Sequence, residues 1–193
     1  MAETPSDPAP RDPEAPAAAR WFIALMPAAA TAAELAAARD ALRAAVRDGR
    51  PVATGRLHLT LAFLGTGPAG ADPVARVRST LDGLGVRPFD LVLDRVGSFR
   101  VGRRHVGWIG PRIPPTPLME LAAAIRQHLA ARRIGFDAKP FVPHVTVLRD
   151  LAAPLEPRPV APIRWPVERV ELLASRFDRP SYQTLAAWDL VPR

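Results

Sequence analysis

The pattern His-x-Thr occurs twice in this chain, each time inside a run where apolar residues alternate with other types. The first copy is Leu57-His58-Leu59-Thr60-Leu61-Ala62-Phe63-Leu64. The second is Val142-Pro143-His144-Val145-Thr146-Val147-Leu148-Arg149. Alternation at period two marks a strand with one buried face. Side chains at i and i+2 leave the same side of a strand. His58 and Thr60 are therefore expected to look one way, with Leu57, Leu59, Leu61 and Phe63 looking the other. His144 and Thr146 share a face, with Val145 and Val147 behind them. Two such strands imply a sheet anchored on one side and presenting polar chemistry on the other.

The elements around the two copies repeat as well. Arg20 to Met26 reads as a strand, and Thr31 with Glu34 has the form of a capping box opening a helix to about Arg47. Leu35, Ala38, Leu42 and Ala45 or Val46 form that helix's apolar stripe. The first histidine strand follows at about 57–64, and Gly65 to Pro68 reads as a turn. Asp72-Pro73 reads as the start of a second helix, with Val74, Val77, Leu81 and Leu84 inward and Gly85 at its end. Phe89 to Phe99 reads as one or two strands, 100–104 as a basic turn and His105 to Ile109 as the return strand. After the proline-rich connector 111–117, a third helix begins at Thr116-Pro117. Leu118, Leu121, Ile125 and Leu129 mark its buried face, and Gly135 its end. The second histidine strand lies at about 142–148. Residues 150–166, dense in proline, read as an irregular loop. Val167 to Leu173 and Tyr182 to Trp188 are the closing strands, joined by a basic turn.

This order suggests an internal duplication. The expected fold is α+β: a bilobal, pseudo-two-fold domain over 20–193, preceded by a disordered tail at 1–19. Two antiparallel sheets would line a central cleft, with helices on the outer faces. The duplicated motifs, at 57–65 and 140–149, would face each other across it.

Composition narrows the function. The 193 residues contain no cysteine, which removes disulfide and thiolate chemistry and suits a cytoplasmic protein. No apolar run reaches the roughly 18 residues of a membrane span. The formal charge is +7, carried almost wholly by arginine, with Lys139 the single lysine. Arginine suits bidentate phosphate contacts, and net positive charge draws polyanions. No protein partner is implied.

Two histidines facing one another suit general acid–base catalysis, since imidazole exchanges protons near neutrality. Phosphodiester cleavage needs such a pair: one group to deprotonate the attacking oxygen, another to protonate the departing one. Thr60 and Thr146 can donate to the non-bridging oxygens, where charge builds in the transition state. Arg149, at the strand end, is the expected phosphate-binding cation. Phe22, Phe141 and Tyr182, with Trp21, are candidates for stacking on a base. A lone strand histidine is ordinarily a surface or satisfied core group, but two matched His-x-Thr units argue for a shared role. His105, near a basic turn, lacks a threonine partner, and His128 lies near the C-terminus of the third helix, where a cationic side chain suits the dipole; both read as structural. No His-x-His or His-x-x-x-His spacing suggests a metal, and no cofactor is expected.

These motifs resemble the double H-x-T-x signature of the 2H phosphoesterase superfamily. Leu57 to Gly65 is close to that family's HLTLxFLG, and Pro140 to Arg149 to its RPFxPHxTLAR. The resemblance is to the RNA 2′,3′-cyclic phosphodiesterase branch, once named 2′-5′ RNA ligase, and covers roughly residues 20–190. It implies hydrolysis of RNA 2′,3′-cyclic phosphate ends to 2′-phosphomonoesters without a metal. His58 would protonate the departing 3′ oxygen and His144 would activate water, or the reverse. Thr60 and Thr146 would hold the phosphate. A weak reverse ligation through a 2′-5′ linkage is implied as well. Lys139 stands where arginine is common, and Val147-Leu148 where Leu-Ala is. The alternatives are a phosphodiesterase for small cyclic nucleotides or 2′-5′ linked oligonucleotides, and a non-catalytic RNA-binding module.

Overall fold

The computed structural model describes residues 18–46, 48–68, 74–82, 86–176, 179 and 181–191. Its elements in chain order are β1 (Ala18–Leu25), α1 (Ala29–Val46), β2 (Arg50–Pro51), β3 (Leu59–Pro68), α2 (Val74–Leu81), β4 (Phe89–Val101), β5 (Arg104–Gly110), α3 (Thr116–Ala131), β6 (Val145–Leu151), β7 (Arg158–Val167), β8 (Arg169–Arg176) and β9 (Gln183–Asp189). The fold is α+β. All described strand pairs are antiparallel, in the order β7-β4-β5-β6-β3-β1-β8-β9, with β2 added to β6.

The two expected sheets are two halves of this order, β7-β4-β5-β6 and β3-β1-β8-β9. They are joined by a single ladder pair, Leu59 with Val145. The half β7-β4-β5-β6 comes from one continuous stretch of chain, residues 89–167, whereas the other half joins the N-terminal β1 and β3 to the C-terminal β8 and β9. Beyond their one shared pair the histidine strands part, and each is then covered by the segment preceding the other histidine. Val52, just after β2, donates its N–H to Val147 O (2.9 Å), and Asp137 donates to Phe63 O (2.9 Å).

The helices seal one side. Leu35 and Leu42 of α1, Val77 and Leu81 of α2, and Leu118, Leu121, Ile125 and Leu129 of α3 are buried, as their 3.6-residue spacing predicts. They join one apolar cluster with Leu57, Leu59, Leu61, Val145 and Val147 from the histidine segments. Each such side chain contributes about 1.5–3 kcal/mol by leaving water.

Several local expectations are corrected. Helix α1 opens at Ala29, so Thr31 is not its cap; it is buried within the first turn and donates to Arg164 O (3.4 Å). Ala18 and Ala19 belong to β1, and β3 continues through the expected turn at Gly65 to Pro68. Residues 89–101 are one strand, and α3 ends at Ala131, with Arg133 just beyond it, not Gly135, at positive φ (54°). The proline-dense stretch contains a strand, β7, with Ile163, Trp165 and Val167 buried at alternate positions. It tolerates proline because it is an edge strand paired only with β4, where one row of N–H groups serves no ladder. Most of the expected tail, the Asp72-Pro73 helix start, Leu84, Gly85 and part of the expected basic turn at 175–180 lie outside the described residues.

Candidate active site

Each histidine sits one residue before its strand, held in the same way. His58 Nδ1 donates to Arg56 O (2.8 Å), and His144 Nδ1 donates to Val142 O (2.7 Å). A carbonyl only accepts, so the proton is on Nδ1 in each neutral ring and Nε2 is the free basic nitrogen. The antiparallel pair Leu59 with Val145, extended one residue each way, sets His58 across from Thr146 and Thr60 across from His144. The duplicated motifs thus meet at the seam between the half-sheets, related by a local two-fold.

A bulge follows each threonine. The β1–β3 register skips Leu61, and the β5–β6 register skips Val147. One unpaired residue reverses the alternation. Leu61 and Ala62 are therefore both buried, as are Val147 and Leu148. The next residue in each copy turns back to the histidine side. Phe63, expected on the leucine face, packs instead against Phe22, Ala24 and Leu173. Its counterpart is Arg149, which is exposed and close enough to repel a proton from both histidines.

Aromatic rings flank the imidazoles. Phe22 lies 4.9 Å and Tyr182 5.1 Å from the His58 ring, with the Arg56 guanidinium 4.6 Å above Tyr182. Arg56 also donates to Ser175 Oγ (2.7 Å). Phe99 lies 4.9 Å from the His144 ring and is itself backed by Trp108 at 5.4 Å. Phe22 and Tyr182 are packed on His58, and Phe141 lines the neighbouring cleft. Trp21 points to the opposite side of β1, buried with Ala19 and Ala174. Phe99, Trp108 and Arg56 were not singled out from the sequence. For Phe99 and Trp108 the only signal was alternation along two strands distant in sequence from His144.

Burial pushes the His58 imidazole down to about 4. The bond to Arg56 O opposes this, while the charges of Arg149, His144 and Arg56 add to it. Burial also lowers His144, again opposed by its carbonyl bond and reinforced by Arg149. Each ring is thus poised neutral, with Nε2 ready to accept a proton. His105 and His128 lie away from this pair: His105 faces Leu151 across β5–β6, and His128 is exposed in the last turn of α3.

A cleft of about 460 Å³ opens beside the seam, lined by Thr60 and His144 together with Phe63, Phe99 and Phe141 and basic side chains. A roomier groove of about 630 Å³ between α1 and β7 is lined mainly by alanine, proline and branched aliphatics. It carries none of the histidine and threonine groups and offers no comparable chemistry. Among the described residues no helix is long and apolar enough to cross a membrane.

Comparison with known proteins agrees with this arrangement. Residues 27–179 match the family model of the 2′-5′ RNA ligase superfamily. The chain is 38% identical over 147 residues to the RNA 2′,3′-cyclic phosphodiesterase of Escherichia coli K12, covering 74% of this chain and 81% of the relative. It is 30% identical over 146 residues to the RNA 2′,3′-cyclic phosphodiesterase of Geobacillus stearothermophilus, covering 69% of this chain and 45% of that one. The crystal structure of Escherichia coli LigT in apo form superposes with a TM-score of 0.73 at 32% identity, covering 91% of this chain and 99% of that one. With the match spanning most of the chain and both histidine motifs, the protein belongs to the 2′-5′ RNA ligase superfamily of 2H phosphoesterases.

Proposed function

We propose that this protein hydrolyses 2′,3′-cyclic phosphate ends of RNA to 2′-phosphomonoesters, using His58 and His144 as its acid–base pair. The observation that carries this reading is the antiparallel pairing of the two His-x-Thr segments, each histidine locked through Nδ1 so that Nε2 is free. Two relatives named RNA 2′,3′-cyclic phosphodiesterase support the substrate class.

In this mechanism the cyclic phosphate sits over the seam, its non-bridging oxygens taking hydrogen bonds from Thr60 and Thr146 and charge from Arg149. His144 Nε2 removes a proton from water as the oxygen attacks phosphorus. His58, protonated on Nε2, gives its proton to the departing 3′ oxygen. The P–O3′ bond breaks, the P–O2′ bond stays, and the product is a 2′-phosphomonoester with a free 3′ hydroxyl. Attack and departure lie on opposite sides of phosphorus, as two groups related by a local two-fold require. The bound phosphate's negative charge offsets the repulsion from Arg149 and raises the acid's proton affinity when it is needed.

The test is turnover of a short RNA ending in a 2′,3′-cyclic phosphate, in EDTA, with the product identified by mass and by resistance to a 3′-specific phosphatase. His58→Ala and His144→Ala should each lower turnover by about 10²–10⁴-fold, with far-ultraviolet circular dichroism unchanged. A 3′-phosphate product, or near-normal turnover by either variant, contradicts the assignment. Turnover of small cyclic nucleotides but not of RNA would transfer the reading to that substrate class. Salt-dependent RNA binding without turnover would make the protein a binding module.

A further inference from the structure

We infer that the cleft beside His144 is a second anion subsite, one that takes the 5′-phosphate or 5′-phosphodiester of the nucleotide whose cyclic phosphate is being opened. The inference rests on the proposed reaction for the identity of the first anion.

Three cations from three separate elements line this cleft: Arg100 from β4, Arg126 from α3 and Lys139 from the segment before β6. A cyclic phosphate carries one negative charge, and the two threonines and Arg149 already answer it. The three further cations, less the Asp137 carboxylate that pairs with Lys139, leave positive charge surplus to that group, and their donors differ. Arg126 directs its guanidinium at backbone carbonyls, Lys139 O (2.8 Å), Leu61 O (3.5 Å) and Asp137 O (3.5 Å), so it supplies charge but little free hydrogen bonding. Arg100 uses Nε on Gly102 O (3.1 Å), which holds the side chain and leaves its terminal nitrogens for a ligand. The Lys139 ammonium contacts Asp137 Oδ2 (3.3 Å), and the side chain is 84% exposed. Among the described residues Asp137 is the one carboxylate lining the cleft, and it is occupied by Lys139 through both the backbone N–H (3.1 Å) and the ammonium.

Shape agrees with charge. The cleft's volume of about 460 Å³ lies within the roughly 300–1,000 Å³ usual for small-molecule sites, more than a phosphate alone would fill. Thr60 and His144 line it, and Phe63, Phe99 and Phe141 give it apolar wall that suits a sugar and base. A nucleoside anchored at the seam by its cyclic phosphate would carry its 5′ oxygen toward Arg100 and Lys139. A guanidinium with both terminal nitrogens free, beside an exposed ammonium, matches a phosphate's acceptors.

The experiment compares kcat/KM for 2′,3′-cyclic AMP and for 5′-phosphoadenosine 2′,3′-cyclic phosphate. The wild type should favour the 5′-phosphorylated substrate by about tenfold or more. Arg100→Gln and Lys139→Gln should each remove most of that preference while leaving kcat/KM for 2′,3′-cyclic AMP within about twofold. A wild type indifferent to the 5′-phosphate overturns the subsite, as do variants that lose both substrates equally. Binding separates this result from the reaction itself. Adenosine 2′,5′-bisphosphate should bind more tightly than 2′-AMP, and Arg100→Gln should collapse the difference. If no cyclic phosphate is turned over but that difference holds, the subsite stands and the proposed reaction fails. If cyclic phosphates are turned over and the two ligands bind alike, the reaction stands and the subsite fails.

Discussion

Burial favours the neutral form of both imidazoles, and on the proposed mechanism this sets a pH dependence. Burial is the main cause of lowering at both, with Arg149 reinforcing it. On the proposed mechanism the free enzyme's base must be deprotonated and its acid protonated, so a bell-shaped kcat/KM is expected. With His58 at about 4 and His144 below 6.5, both limbs should fall on the acid side of an ordinary histidine. Arg149→Gln removes a nearby positive charge from both, so both limbs should move toward neutral pH even as turnover falls. Measuring kcat/KM against pH on 2′,3′-cyclic AMP checks this, and a flat profile from pH 6.5 to 8 would count against it. The same shift bears on stability. Because the native state binds its His58 proton more weakly than the unfolded chain, stability is full above 6.5 and declines as pH falls toward 4. The urea midpoint should therefore drop across that window, and His58→Gln should lessen the drop. At this scale the sequence was informative about His58, His144 and their threonines, because a motif and a strand pattern coincide there. It was silent about Phe99, which meets His144 only because β5 lies between β4 and β6.

At the scale of elements, the crossing of β3 and β6 needs support beyond one ladder pair. Arg126 provides it from beneath, reaching from α3 to Leu61 O on the first histidine strand and to Asp137 O and Lys139 O before the second. The Phe136 and Phe141 rings lie 5.7 and 5.8 Å from its guanidinium. Arg126→Met keeps the stem but leaves those carbonyls without a donor. A loss of about 1–3 kcal/mol in urea unfolding is expected, together with a fall in kcat, since the two motifs lose a common tether. Lysine should not substitute, because one ammonium cannot span carbonyls that a planar fork reaches. Loss of stability with kcat intact would mean that Arg126 supports the fold and not the spacing of the histidines. The bulges at Leu61 and Val147 belong to this scale too. Leu61-Ala62 and Val147-Leu148 are consecutive apolar pairs that interrupt the alternation, visible in the sequence but equally compatible with a plain buried strand.

At the scale of the whole molecule, one half-sheet is completed by both ends of the chain and the other by the stretch between them. A fragment ending near Pro111 would leave β1 without β8 and β5 without β6. Fragments 18–111 and 112–191 should each be unfolded alone. The full chain should unfold in one transition, with Trp21 and Trp165, in different halves of the sheet, reporting the same midpoint. Separate midpoints would show that the halves fold independently across their single shared pair. The sequence alone determined the helices, through their 3.6-residue stripes, most of the strands, through period-two burial, and, by their repetition, the two His-x-Thr units as the candidate chemical centre. These are local patterns, and a local pattern reports which face of an element is buried. What only the tertiary structure decided is which elements meet: the closure of β1 and β3 by the C-terminal β8 and β9, the proline-bearing edge strand β7, the aromatic backing of His144, and the convergence of Arg100, Arg126 and Lys139 on one cleft. Those follow from long-range pairing and from which strand lands at an edge. Neither leaves a periodic mark in the sequence, because each depends on residues far apart along the chain.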